Sequence, residues 1–251
     1  MTDDTPHAPA PDDAPDAAPD GGSTERKAGG FYGRRAGKTL RAGQADHIAT
    51  LLPTLALDLS APAPADLRTL FSAPVETVWL ESGFGGGEHM IATLKANPTV
   101  GFIGAEPFVN GMAKALVQLH AEGLEGRVRL HMADAVPLLD WLPPASLGRF
   151  YLLYADPWPK TRHWKRRFVN ADNLDRIARL LPAGAEFRYA SDWAPYVDWT
   201  LARVPLHPAF AWTAETSRDW REPWAGWPGT RYEEKAKREG RTPAYLIFRR
   251  R

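Results

Sequence analysis

The residues best suited to chemistry lie in one stretch, Ala155-Asp156-Pro157-Trp158-Pro159-Lys160, continued by Thr161-Arg162-His163-Trp164-Lys165-Arg166-Arg167. The apolar run before it, Phe150 to Tyr154, reads as a buried strand. Asp156 would then stand at the carboxyl edge of a sheet, where α/β folds take their ligands. Two prolines stiffen the turn and remove backbone donors, and Trp158 is held between them. Five cations, Lys160, Arg162, Lys165, Arg166 and Arg167, follow at once. An acid, a rigid aromatic and dense positive charge could hold a nucleic-acid base beside a carboxylate with its phosphates gripped alongside. A solvated helix start would explain the cations alone, but not the whole combination.

A second constellation precedes it. Val78-Trp79-Leu80-Glu81-Ser82-Gly83-Phe84-Gly85-Gly86-Gly87 reads as a strand entering a glycine turn that opens a helix. The dinucleotide fingerprint G-x-G-x-x-G/A fails, because Glu88 occupies the place of its third small residue. The pattern present is E-x-G-x-G-x-G. Glu81 would repel a pyrophosphate but attract a sulfonium and an amino-acid ammonium. Glu106, ending the next strand, suits a ribose diol in either class of cofactor. Asp134, after the third strand, could accept from an adenine amino group or simply cap a helix. Three acids after three successive strands, joined to Gly83 and Gly85, favour S-adenosylmethionine.

Methyl transfer from a sulfonium needs alignment more than activation. If the acceptor is a guanine N7, its lone pair needs no deprotonation, and a carboxylate such as Asp156 would orient the base and stabilise the developing positive charge. No metal site is expected: the chain has no cysteine and its seven histidines are scattered.

The elements that must position these groups follow from the patterning. Strands are expected at Val75–Leu80, Val100–Ala105, Arg127–Met132, Phe150–Tyr154, Glu186–Ala190 and Leu246–Phe248. A short helix ending near Pro53 is expected within Leu40–Leu57, and further helices over Glu88–Ala96, Val109–Glu122, up to Leu142, Ala171–Leu181 and Pro195–Val204. Such alternation predicts an α/β fold with a mostly parallel sheet and helices on both faces. Residues 1–30 read as a disordered, acidic Ala/Pro/Asp-rich tail and 31–251 as a single domain. The first 25 residues carry −7, so the rest carries +8 within a net charge of +1. A basic folded part suits a polyanionic partner. Gly29–Lys38 reads as a basic arm. Six of the ten tryptophans follow residue 192, and Trp220, Trp224 and Trp227 fall in a loop-like insertion. Packing of that loop is favoured over exposed base stacking. No run approaches the roughly 20 apolar residues that span a membrane, and no signal peptide is evident, so a cytoplasmic protein is expected.

The chain resembles the bacterial tRNA (guanine-N7-)-methyltransferases. The likeness rests on Asp156-Pro157-Trp158-Pro159-Lys160 with Arg162-His163-x-Lys165-Arg166-Arg167, on Glu81-x-Gly83-x-Gly85-x-Gly87, on Ser191-Asp192-Trp193-x-x-Tyr196, on Thr230-Arg231-Tyr232-Glu233 and on Tyr32-Gly33-Arg34-Arg35. It covers residues 31–250 and implies a Rossmann-like class I fold with a seven-stranded sheet. It also implies S-adenosylmethionine on Glu81, Gly83, Gly85, Glu106, Asp134 and Asp156, with Asp156 catalytic at the donor–substrate junction. Lys160, Asp192, Thr230, Arg231, Tyr232 and Glu233 would contact the substrate, a guanine in the variable loop of tRNA. The protein would be a monomer or homodimer. Ser82, Ala155 and Arg231-Tyr232 depart from the family's usual residues without removing a functional group. Two alternatives stay open: an adenine amino-methyltransferase acting on nucleic acid, in which the acid–proline–aromatic turn holds a flipped base, and a non-catalytic RNA-binding module.

Overall fold

The computed structural model describes Gly33 and residues 35–251. The expected tail and residues Tyr32 and Arg34 of the arm lie outside the described residues. Seven strands form one sheet: β1 (Thr77–Ser82), β2 (Val100–Ala105), β3 (Val128–His131), β4 (Arg149–Leu153), β5 (Glu186–Ser191), β6 (Phe210–Trp212) and β7 (Ala244–Arg250). Their spatial order is β3-β2-β1-β4-β5-β7-β6. The first five run parallel, while β7 is antiparallel to both β5 and β6. The central strands are buried on both sides, which explains why Val100–Ala105 shows no polar alternation.

The helices are α1 (Ala42–Thr50), α2 (Leu52–Leu55), α3 (Glu88–Ala96), α4 (Val109–Ala121), α5 (Ala135–Trp141), α6 (Ala171–Leu180), α7 (Ala194–Leu201), α8 (Arg218–Arg221) and α9 (Arg231–Arg238). Their packing follows from sequence. In α6, the Asn170 side chain accepts from the Asn173 N–H at the start, Leu174, Ile177 and Ala178 face inward, and Pro182 and Gly184 stop it. Two apolar clusters result. One gathers Leu80, Ile103, Phe150, Phe187, Tyr196 and Phe248, the other Phe102, Met112, Leu116, Leu130, Tyr151 and Tyr245.

Two local expectations are corrected. The short helix expected to end near Pro53 ends at Thr50, and Pro53 instead lies in the first turn of a second helix, α2, where a missing N–H does no harm. The insertion after residue 205 is not merely a loop: it holds β6, α8 and α9. Its tryptophans are half-buried and packed, as expected, with Trp220 on the first cluster and Trp224 and Trp227 on the second.

Candidate active site

The strand order turns around between β1 and β4, since the chain builds outward from β1 through β2 to β3 and then returns to β4. That switch point opens a crevice at the carboxyl ends of the strands. The register levels those ends: Ser82 pairs with Ala105 and with Leu152, and Ala105 with His131. Glu81, Glu106, Asp134 and Asp156 therefore all come to one edge, each at or just beyond the end of its strand. Asp192 follows β5 on the same edge.

The glycine turn is shaped for close approach. Gly83, Gly85 and Gly87 all have positive φ, a conformation that side chains rarely adopt. The Gly85 N–H donates to Glu106 Oε2 at 2.6 Å, and the Phe108 N–H donates to Glu106 Oε1 at 2.8 Å. Glu106 thus clamps the glycine turn to the start of α4. Burial pushes its carboxyl above the ordinary glutamate range, against the pull of those two N–H groups. Helix α4 also presses on the turn at Gly111, where a Cβ would meet the Gly85 carbonyl oxygen at 2.5 Å.

Glu81 is only 2% exposed, and its Oε2 pairs with His89 Nδ1 at 2.8 Å. Nothing in the sequence pattern marked His89: it lies eight residues away, across the glycine turn. Asp134 serves as the N-cap of α5, its Oδ1 accepting from the Val136 N–H at 3.1 Å. The capping role read from sequence is realised, and Oδ2 accepts no hydrogen bond from the described residues.

Asp156 lies on the loop after β4. Tyr154 and Trp158, on either side of it, have φ of 50° and 45°. Two bulky residues in left-handed backbone mark a segment held against its own preference. The Asp156 side chain is open to solvent and accepts no hydrogen bond from the described residues. The loop around it still removes enough water to push its carboxyl above the ordinary aspartate range.

The basic run divides into two kinds of cation, and this corrects its reading as a uniform phosphate grip. It forms a 3₁₀ helix over Thr161–Arg166. Lys160, Arg162 and Lys165 are exposed. Arg167 is 1% exposed: it donates to the Pro157 carbonyl at 2.9 Å and to the Pro195 carbonyl at 3.3 Å. Its guanidinium lies 4.8–5.1 Å from the rings of Trp164, Tyr196 and Trp199. Arg167 is a rivet between the Asp156 loop and α7, not a phosphate ligand.

The remaining predicted substrate residues gather at α9. Thr230 caps that helix, its hydroxyl accepting from the Glu233 N–H at 3.1 Å. The Thr-x-x-Glu spacing is a helix-start signal that sequence reasoning could have used. Glu233 itself turns inward. It accepts from Trp227 Nε1 at 2.5 Å, from the Tyr245 hydroxyl at 2.7 Å and from the Lys237 ammonium. Burial works to raise its carboxyl, but these donors outweigh that and leave it below the ordinary range. Arg231 and Tyr232 lean over the glycine turn: a Cβ on Gly85 would lie 3.4 Å from Arg231 Nη2 and 3.5 Å from the Tyr232 ring. Tyr232 stacks on Tyr154 with ring centroids 6.4 Å apart. Asp192 accepts from Arg241 Nε at 2.5 Å. The described part of the arm is held on protein, with the Val109 N–H donating to the Arg35 carbonyl and Asn110 Nδ2 to the Lys38 carbonyl.

Among the described residues there is no group of three or more side chains able to hold a metal ion, and no helix long and apolar enough to cross a membrane. The donor set fits S-adenosylmethionine. It offers a positive-φ glycine turn with open space at Gly83, and acids at the ends of three adjacent strands suited to an ammonium, a ribose and an adenine.

Comparison with known proteins agrees. A family model described as "Putative methyltransferase" matches residues 75–246. A solved structure described as an antibiotic-related methyltransferase shares the fold, with a TM-score of 0.52 at 15% identity, covering 76% of this chain and 96% of that one. A tRNA (guanine-N(7)-)-methyltransferase of Rhizobium meliloti (strain 1021) is 58% identical over 88% of this chain and 94% of its own length. That of Chelativorans sp. (strain BNC1) is 56% identical over 89% and 96%. That of Rhodopseudomonas palustris (strain BisA53) is 52% identical over 100% of this chain and 99% of its own. Identity at this level, across a sheet edge bearing the glycine turn and its acids, means that the chain belongs to the tRNA (guanine-N(7)-)-methyltransferase family.

Proposed function

We propose that this protein transfers a methyl group from S-adenosylmethionine to N7 of a guanine in the variable loop of tRNA. The observation that carries the reading is Asp156: a carboxylate without a protein hydrogen-bond donor among the described residues, on a strained loop, at the same sheet edge as the glycine turn and its acids. The family membership of the chain supplies the acceptor.

When bound, S-adenosylmethionine supplies a methyl already activated on a sulfonium. The protein's work is binding and alignment. Glu106 would accept from the ribose hydroxyls, Oδ2 of Asp134 would accept from the adenine amino group, and Glu81 would attract the amino-acid ammonium. Gly83 and Gly85 let the backbone come close. Asp156 would set the guanine with its N7 lone pair in line with the donor's methyl group, whose leaving group is the neutral thioether sulfur. No proton moves in that step. The purine becomes positively charged, and the Asp156 carboxylate stabilises that charge as it develops. Arg231 and Tyr232, lying over Gly85, put the substrate motif within reach of both partners, with Thr230, Glu233 and Asp192 holding the segment in place.

Unmodified tRNA incubated with the protein and the donor should yield 7-methylguanosine on nucleoside mass spectrometry. N6-methyladenosine would instead establish the amino-methyltransferase alternative, and donor binding without any methylated nucleoside would establish a non-catalytic module.

Lys160, Arg162 and Lys165 provide the phosphate grip. Replacing all three with alanine should raise the KM for tRNA roughly tenfold at physiological salt and flatten its salt dependence, by about 0.7–0.9 in log–log slope for each phosphate no longer neutralised. Donor Kd should not change. A KM for tRNA and a salt slope equal to wild type would remove this run from the interface.

A further inference from the structure

Glu81 and His89 form the most deeply buried ionisable pair around the glycine turn, at 2% and 3% exposure. β1 delivers Glu81 two residues before Gly83. α3 begins directly beyond the turn, and its first turn brings His89 back over the strand end. His89 Nδ1 lies 2.8 Å from Glu81 Oε2, so the ring N–H donates to the carboxylate. Oε1 accepts no hydrogen bond from the described residues. The imidazole has little freedom: it packs edge-on against Tyr151 at 4.6 Å and beside Trp227 at 5.4 Å, with Thr93 Oγ1 3.4 Å from Nε2. Trp227 is in turn pinned by its Nε1 to Glu233.

A carboxylate this far from water needs a hydrogen-bond partner and a restraint to keep one orientation. His89 supplies both. We infer that His89 is a positioning residue for the methyl donor: it holds Glu81 by Oε2 so that Oε1 is presented to the donor's amino-acid ammonium. This rests on the donor site proposed above. The pinned Trp227 ring also connects this orientation to Glu233 and so to α9, whose Arg231 and Tyr232 lie over the same turn.

The test uses full-length protein, S-adenosylmethionine as the calorimetric probe, and two variants. His89→Phe keeps a ring against Tyr151 and Trp227 but removes the donor. His89→Asn places an amide N–H near the position of Nδ1. H89F should weaken donor binding on the order of 10- to 100-fold, as expected when a hydrogen bond to a charged group is removed. H89N should stay within about threefold of wild type. KM for the donor should rise in H89F far more than kcat at saturating donor falls. Donor Kd in H89F within twofold of wild type would overturn the inference, and so would a loss in H89N equal to that in H89F. If H89F does not fold, as judged by its thermal midpoint without donor, H89N decides alone: tenfold weaker binding there overturns the role of His89. Wild-type protein that binds no donor would overturn the donor site itself, a separate result.

Discussion

Asp156→Ala should lower turnover on tRNA by on the order of 10²–10³-fold while leaving donor Kd within a few-fold of wild type. The size follows from removing one preorganised group aimed at developing charge. The separation from binding follows because the Glu81–His89 pair and the Glu106 clamp do not depend on Asp156. Single-turnover methylation and calorimetry on the same preparation would check both halves. Near-wild-type turnover would sink the assignment.

The same carboxylate gives the enzyme an acid limb. Burial raises the Asp156 carboxyl, so the charged form needed for turnover appears only above the ordinary aspartate range. Turnover at saturating substrates should climb as pH rises through that raised value and then level off, and the limb should vanish in D156N. The effect on stability has the opposite sign. A raised acid favours the folded state while protonated, and that contribution is lost as pH rises through the folded-state value. Asp156 is therefore charged, and active, where it stabilises the fold least.

Arg167→Ala should lower the unfolding free energy by about 3 kcal/mol, from two part-buried hydrogen bonds lost and a cavity between three aromatic rings. For a chain of this size that is roughly 6–12 °C in Tm. Turnover should also fall, because the Pro157 carbonyl sits next to Asp156 and loses its tether to α7. Lys165→Ala, two residues away and exposed, should change stability by less than about 0.5 kcal/mol. Thermal melts of the two variants side by side decide the matter: equal small shifts would mean that Arg167 belongs with the exposed cations after all.

That contrast shows where the sequence stopped speaking. Alternating strands and helices were legible because buried parallel strands are apolar runs bounded by glycine and proline, and α3 and β2 were read to the residue. The acids at the strand ends were legible because a parallel sheet gathers its carboxyl ends at one edge. Arg167 was not, since five cations in a row look alike until α7 folds over one of them. His89 was not, because its pairing with Glu81 depends on the angle at which α3 leaves the turn. α9 was missed because the Trp, Pro and Gly around residues 224–229 look like a loop, although Thr230 and Glu233 announce a helix start.

The left-handed backbone at Tyr154 and Trp158 has a consequence for protein engineering. Each such residue destabilises the fold by about 1–3 kcal/mol, so glycine at either site would look attractive to anyone seeking heat tolerance. At Tyr154 it would remove the ring beneath Tyr232. At Trp158 it would remove the ring under the Arg166 guanidinium. A directed-evolution campaign scored on melting temperature alone would be drawn to these two positions, and would relax the loop that holds Asp156 in place.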